Sequence, residues 1–250
     1  MTFENQDRTA VVTGATSGIG WATVVDFATH GVNVIAAGRR EERGAAIVDA
    51  TRGLPGEVAF VRADVTVGGD VERLMATAVS TFGRLDYAFN NAGASLALGR
   101  MHEYTEDQWD FLSDSLLKSV WRCMKYEIAQ MLPAKSGVII NNASIAGIVG
   151  GGSGGYSAMK HGVVGLTKSA TKQYADDGLR FNAVCPGWID TDMTAGWEDD
   201  PKRSGYMYTR QSIKRPGKPK EVAALVRWMC SDEAAFVTGV AWPIDGGFTT

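Results

Sequence analysis

The sequence predicts an α/β domain in which a parallel sheet carries helices on both faces. Three observations lead there. Short β-branched runs alternate with longer helical patterns along the 250 residues. Those runs are apolar throughout, as strands covered on both faces are. A glycine-rich turn, Thr13-Gly14-Ala15-Thr16-Ser17-Gly18-Ile19-Gly20, joins the first run to the first helical pattern. A chain of this length buries one large core, so a single domain over 1–250 is expected.

The elements follow in order. Residues 9–13 form the first β-branched strand, and 19–29 the first helix. Residues 32–37 are a second strand, followed by a charged helix near 41–50. Strand 58–61 precedes helix 71–82, and 85–89 is a fourth strand. The long amphipathic stretch 106–131 is expected to be helical. Strand 138–141 leads to helix 156–174, strand 180–184 to helix 221–230, and 240–244 is the last strand. One irregular stretch, about 188–219, is rich in Gly, Pro, Trp and charge; an insertion of that length in a compact domain is read as a substrate lid.

Bulk composition excludes several function classes. The hydrophobic fraction is 45% and the net charge −3, so no basic excess draws nucleic acid or an anionic membrane. No apolar run reaches membrane-spanning length. The start, Met-Thr-Phe-Glu-Asn-Gln-Asp, lacks the basic and apolar regions of a signal peptide. Cys123, Cys185 and Cys230 have no metal-ligand spacing, so no metal is expected, and reduced cysteines point to the cytoplasm.

The glycine-rich turn carries the first chemistry. Gly14, Thr16, Ser17, Gly18, Ile19 and Gly20 lie where backbone can approach a pyrophosphate, at a helix N-terminus that offers free N–H groups. The second strand ends in Gly38-Arg39-Arg40. A site preferring NAD usually places a carboxylate there, on the ribose 2′-hydroxyl. Arg39, with Arg40 beside it, suits a 2′-phosphate instead. NADP is therefore expected, with NAD as the alternative. Asp64 and Val65 follow the third strand and suit the adenine edge. Asn91, Ala92 and Gly93, from Asn90-Asn91-Ala92-Gly93, follow the fourth. All these turns lie at carboxyl ends of strands, where open α/β sheets bind ligands.

Tyr156 and Lys160 carry the second. Spaced four apart in a helical stretch, they share one face. A phenol beside an ammonium makes a proton-transfer device, because a nearby cation favours the phenolate. Ser144, twelve residues earlier, is placed to hold a substrate oxygen beside the phenol.

Together these features resemble the short-chain dehydrogenase/reductase family. Thr-Gly-x-x-x-Gly-x-Gly, Asn-Asn-Ala-Gly, Ser144, Tyr156-x-x-x-Lys160 and Pro186-Gly187 stand in the family's order and spacing. The ending from Val237-Thr238-Gly239 to Asp245-Gly246-Gly247 is similar as well. The resemblance implies a Rossmann, doubly wound, seven-stranded parallel sheet, usually in a homotetramer or a homodimer. It implies that Tyr156 is the general acid or base. Lys160 then binds the nicotinamide ribose and lowers the Tyr156 pKa, and Ser144 holds the substrate oxygen. Pro186, Gly187, Ile189, Thr191 and Met193 are expected on the nicotinamide side. Ile145, Gly151, Trp188 and Trp197 are expected at the substrate, with Ser144 and Tyr156.

One departure stands out. The family's usual asparagine before Lys-x-Val-Trp aligns with Leu116 in Leu117-Lys118-Ser119-Val120-Trp121, and leucine neither donates nor accepts a hydrogen bond. Ser115 is adjacent, but about 100° around a regular helix, so it is not expected to substitute. The overall expectation is an NAD(P)-dependent oxidoreductase acting on a small carbonyl or secondary alcohol. Two alternatives are NAD-linked oxidation of an alcohol or sugar-like diol, and, on Leu116 alone, a cofactor-binding protein with little catalysis.

Overall fold

The computed structural model describes residues 8–94, 96, 99–150 and 153–250. Seven strands are β1 Thr9–Thr13, β2 Asn33–Gly38, β3 Val58–Arg62, β4 Tyr87–Asn90, β5 Gly137–Asn142, β6 Leu179–Pro186 and β7 Ala241–Ile244. They form one sheet in the order β3-β2-β1-β4-β5-β6-β7, and every pair is parallel. The helices are α1 Gly18–Thr29, α2 Glu41–Ala50, α3 Gly68–Phe82, α4 Glu106–Leu112, α5 Ser119–Met131, α6 Gly154–Tyr174, α7 Pro201–Arg210 and α8 Pro219–Cys230. Among the described residues, no helix is long and apolar enough to cross a membrane.

Strand periodicity divides the core into two layers. Val11, Ile35, Ile139 and Phe181 face the layer that contains Leu74 of α3, Met124 of α5 and Val163 of α6. Their neighbours Val12, Val34, Ala36, Ile140 and Val184 face the other, with Phe27 of α1, Ile47 of α2 and Val226 of α8. Both sheet faces are thus covered, which is why the strands read as continuous apolar runs. Pro243 is accommodated because β7 lies at the sheet edge.

Strand order places the site. The chain builds β1, β2 and β3 outward, then returns to lay β4 on the other side of β1. Between the carboxyl ends of β1 and β4 the two connections diverge and leave a crevice, the topological switch point of such sheets.

Two stretches depart from the sequence expectation. The segment 106–131 is not one regular helix. Between α4 and α5, residues Ser113–Lys118 form a π-helical turn, a wide turn frequent at functional sites. The irregular stretch 188–219 contains α7. Asp200 caps this helix by accepting from the Lys202 and Arg203 N–H groups, Pro201 opens it, and Ser204 and Met207 are its buried residues. The Pro and charge that suggested a loop are helix-start signals here.

Candidate active site

A cleft of about 610 Å³ opens at the switch point, lined by the carboxyl ends of the strands and the turns that follow them. The β1–α1 turn forms its floor. Gly14 and Gly18 have φ values of +65° and +52°, a region that L side chains rarely adopt. A Cβ on Gly14 would lie 2.9 Å from the Ala92 Cα, and one on Gly20 2.6 Å from Asn91 Nδ2. Gly20 therefore packs the turn against β4 and does not itself line the cleft. Ser17, at the N-cap of α1, makes no side-chain cap bond, which leaves the first N–H groups of α1 available to an anion.

The turn is pinned by asparagine and threonine. Asn91 Nδ2 donates to the Thr13 and Gly14 carbonyls at 3.0 and 3.3 Å. Thr13 Oγ1 accepts from the Asn91 and Ala92 N–H groups. Asn142 Nδ2 donates to Asn91 Oδ1 at 2.9 Å, which ties the end of β5 to the same assembly.

At the end of β2, a side chain on Gly38 would approach Thr16 Cγ2 to 2.7 Å, so the turn and this strand end fit only with glycine there. Arg40 folds back on the turn and donates to Thr16 Oγ1 at 3.2 Å and to the Thr16 carbonyl at 3.4 Å. Arg39 is mostly exposed and lies 3.8 Å from Asp64 Oδ2. Thr16, Ser17, Arg39, Arg40, Asp64 and Val65 all line the cleft. Close backbone, a free helix start and two guanidinium groups fit a dinucleotide cofactor. Gly14 and Thr16–Ile19 would hold its pyrophosphate.

At the other end, Ser144 sits at the N-cap of a short 3₁₀ turn and its Oγ accepts from the Ala146 N–H at 3.1 Å. The α6 helix presents Tyr156 and Lys160 on one face. Ser144 hydrogen-bonds Tyr156. Lys160 Nζ lies 5.7 Å from the Tyr156 ring centre and donates to the Asn142 carbonyl at 2.6 Å. Burial lowers the Lys160 ammonium to about 8. Burial raises the Tyr156 phenol, and the Ser144 hydrogen bond opposes that rise. The net direction is therefore upward, whereas the spacing of Tyr156 and Lys160 suggested a lowered phenol. The ammonium is given to a backbone carbonyl and stands over the ring, and desolvation of the phenolate prevails.

Asn91, Ala92, Gly93, Pro186, Gly187, Ile189, Thr191 and Met193 all line the cleft. Three expected substrate contacts do not. Trp188 is buried and packs on Tyr208, with ring centres 5.2 Å apart. Trp197 lies beneath the Arg203 guanidinium, 5.3 Å from its ring, and Ile145 begins the 3₁₀ turn without lining the cleft. The aromatic rings thus hold the 188–219 segment to itself, an arrangement that long-range packing sets and local sequence does not disclose. Gly151 lies outside the described residues. Nearby Ser153 shares a 2.8 Å hydrogen bond with the Tyr104 hydroxyl.

Leu116 lines the cleft and joins an apolar cluster with Leu112, Met159 and Tyr156. Ser115, within the π-helical turn, lines it as well; its hydroxyl is given to the Phe111 carbonyl at 2.7 Å. Sequence reasoning missed the roles of Asn142 and Thr13 in pinning the turn. The pair Asn141-Asn142 at a strand end was the available signal. Among the described residues, no cluster of His, Cys, Asp or Glu is suited to a metal.

Comparison with known proteins finds relatives over nearly the whole chain. Residues 14–249 match the family described as enoyl-(acyl carrier protein) reductase. The chain is 39% identical to a cyclohexanol dehydrogenase of Acinetobacter sp. (strain SE19), over all of this chain and 98% of the relative. It is 40% identical to a cis-4-hydroxycyclohexanecarboxylate dehydrogenase of Sinomonas cyclohexanicum, over 97% of each chain. The structure of a short-chain type dehydrogenase/reductase from Mycobacterium ulcerans superposes with a TM-score of 0.95 at 26% identity, covering 99% of this chain and 91% of the other. With the sheet order, the glycine-rich turn and the Ser-Tyr-Lys constellation in one cleft, the chain belongs to the short-chain dehydrogenase/reductase family.

Proposed function

We propose that the protein transfers hydride between NADP and a cyclic secondary alcohol or its ketone, with Tyr156 as the proton-transferring group. The observation that carries this reading is the convergence of Ser144, Tyr156 and Lys160 in the cleft that the glycine-rich turn opens. The bound nicotinamide supplies or accepts the hydride. In reduction, Tyr156 Oη gives its proton to the carbonyl oxygen, which Ser144 Oγ holds in place. Lys160 supplies the positive charge that stabilises the developing phenolate. Positioned acid–base groups of this kind contribute roughly 10² to 10⁴ in rate.

NADP is favoured over NAD by glycine at position 38 and by Arg40, which is already held at Thr16 Oγ1. Two relatives named for substrates on a six-membered ring motivate the cyclic substrate. We assign the stretch 188–219, with α7, as a lid over the substrate end. Exposed Trp121, beside an apolar groove of Leu117, Gly162, Gly165 and Leu166, suits a subunit contact in a homotetramer. The test is NADPH and NADH oxidation against cyclohexanone and an acyclic ketone of similar size. Faster turnover of the cyclic ketone with NADPH supports the assignment. Turnover of acyclic ketone with NADH alone overturns its substrate and cofactor parts.

A further inference from the structure

We propose that Glu127 is a neutral carboxylic acid that closes a two-point pair with the Asn90 side-chain amide, and thereby positions the ends of β4 and β5 beneath the cleft. Glu127 is fully buried on α5 and does not line the cleft. Asn90 Nδ2 donates to Glu127 Oε2 at 3.0 Å. Two buried oxygens of this same pair, Glu127 Oε1 and Asn90 Oδ1, have no partner. An ionised carboxylate would leave both as acceptors without a donor. A protonated carboxyl resolves both at once, because its O–H on Oε1 serves the amide oxygen while Oε2 keeps the amide N–H. Acid and amide then meet in the ring that two complementary donor–acceptor edges form.

The surroundings favour the neutral form. From β5, Asn141 Oδ1 accepts the second Asn90 N–H at 3.0 Å, and Asn141 Nδ2 donates to Thr167 Oγ1 of α6 at 2.9 Å. From α5, Cys123 and Met124 lie one turn back, and Cys123 is itself held neutral by burial. The α3 face packed on α5 brings Val71, Leu74, Met75 and Ala78. Lys160 of α6 gives its ammonium to the Asn142 carbonyl. Desolvation accordingly pushes Glu127 up to about 8.

Position makes the pair consequential. Asn90 and Asn141 are register partners. Their successors Asn91 and Asn142 hold the glycine-rich turn and the Lys160 ammonium. Glu127 touches neither cofactor nor substrate, so it is a positioning residue acting through these two strand ends. Its effect on turnover rests on the hydride-transfer reading above; its protonation does not.

The test compares the wild type with Glu127→Gln and Glu127→Leu. Glutamine reproduces both edges of a neutral acid. Infrared difference spectra should show a protonated-carboxyl band at pH 6 in the wild type that Glu127→Gln lacks. The group binds its proton in the folded state up to about pH 8, but in the unfolded state only to about pH 4.3. Wild-type stability should therefore fall relative to Glu127→Gln between those limits, by up to tenfold in the folding constant per pH unit, and level off above. At pH 6, Glu127→Gln should keep the wild-type KM for NADPH, and Glu127→Leu should raise it at least fivefold. No carboxyl band, a pH-independent stability difference, or a Glu127→Gln variant as impaired as Glu127→Leu would each overturn the proposal. If Glu127→Leu does not fold, the band and the pH dependence still decide it. If the ketone assay is silent for every protein, those two readouts stand unaffected and the failure belongs to the activity.

Discussion

Lys160 Nζ donates to the Asn142 carbonyl at 2.6 Å and stands 5.7 Å from the centre of the Tyr156 ring. A residue at the end of β5 thereby fixes the cation that faces the Tyr156 phenol. The same Asn142 reaches Asn91 with its side chain at 2.9 Å, so the glycine-rich turn and α6 share one polar junction.

That junction sets a pH dependence. Burial lowers Lys160 from the ordinary lysine value to about 8, so its charge is lost through that pH while an exposed lysine would keep it. NADPH-linked reduction is expected to decline above about pH 8 with the loss of one proton. Lys160→Arg, whose guanidinium stays charged, should remove that decline even if its rate is lower. Stability runs the opposite way. Between about 8 and the ordinary value the unfolded chain binds the extra proton, so this group's contribution rises with pH. A pH–rate profile and a denaturation series separate the two.

Arg40 is the second lever. It donates to Thr16 Oγ1 at 3.2 Å, which sets its guanidinium beside the turn. Arg40→Ala should raise the KM for NADPH by roughly 10- to 100-fold, the range for losing a charged hydrogen bond of about 1.5–3 kcal/mol. The KM for NADH should change little. Equal losses for both cofactors would show that Arg40 serves the turn and not the 2′-phosphate.

Leu116 gives a third. It is buried with Leu112 and Met159 against Tyr156. Leu116→Asn should lower stability by about 1–3 kcal/mol, because it sets an amide among apolar side chains, with no gain in kcat. Urea denaturation and steady-state kinetics check the two parts. A large gain in kcat would mean that the native site lacks a proton relay.

Much of this was legible in the sequence, for identifiable reasons. Strands covered on both faces leave continuous apolar runs, so Thr9–Thr13 could be read from sequence with the limits it has in the structure. Gly14, Gly18 and Gly38 occupy positions where a side chain is strained or excluded, and such positions announce themselves by residue type. Other features depend on contacts remote in sequence. The π-helical turn at Ser113–Lys118 interrupts an amphipathic pattern that reads as one helix. Trp188 turns to Tyr208 and away from the cleft, and nothing local marks that choice. The raised Tyr156 phenol reflects how deeply α6 seats it, whereas spacing alone suggested a lowered one.

Replacing Tyr156 by Phe tests the central claim most directly. The ring and its packing with Leu112, Leu116 and Met159 remain, and only the hydroxyl, with its Ser144 hydrogen bond, is removed. Turnover of cyclohexanone with NADPH should fall by at least about 10², while NADPH affinity measured by calorimetry stays within a few-fold of the wild type. A Tyr156→Phe protein that retains its turnover would contradict proton transfer by Tyr156.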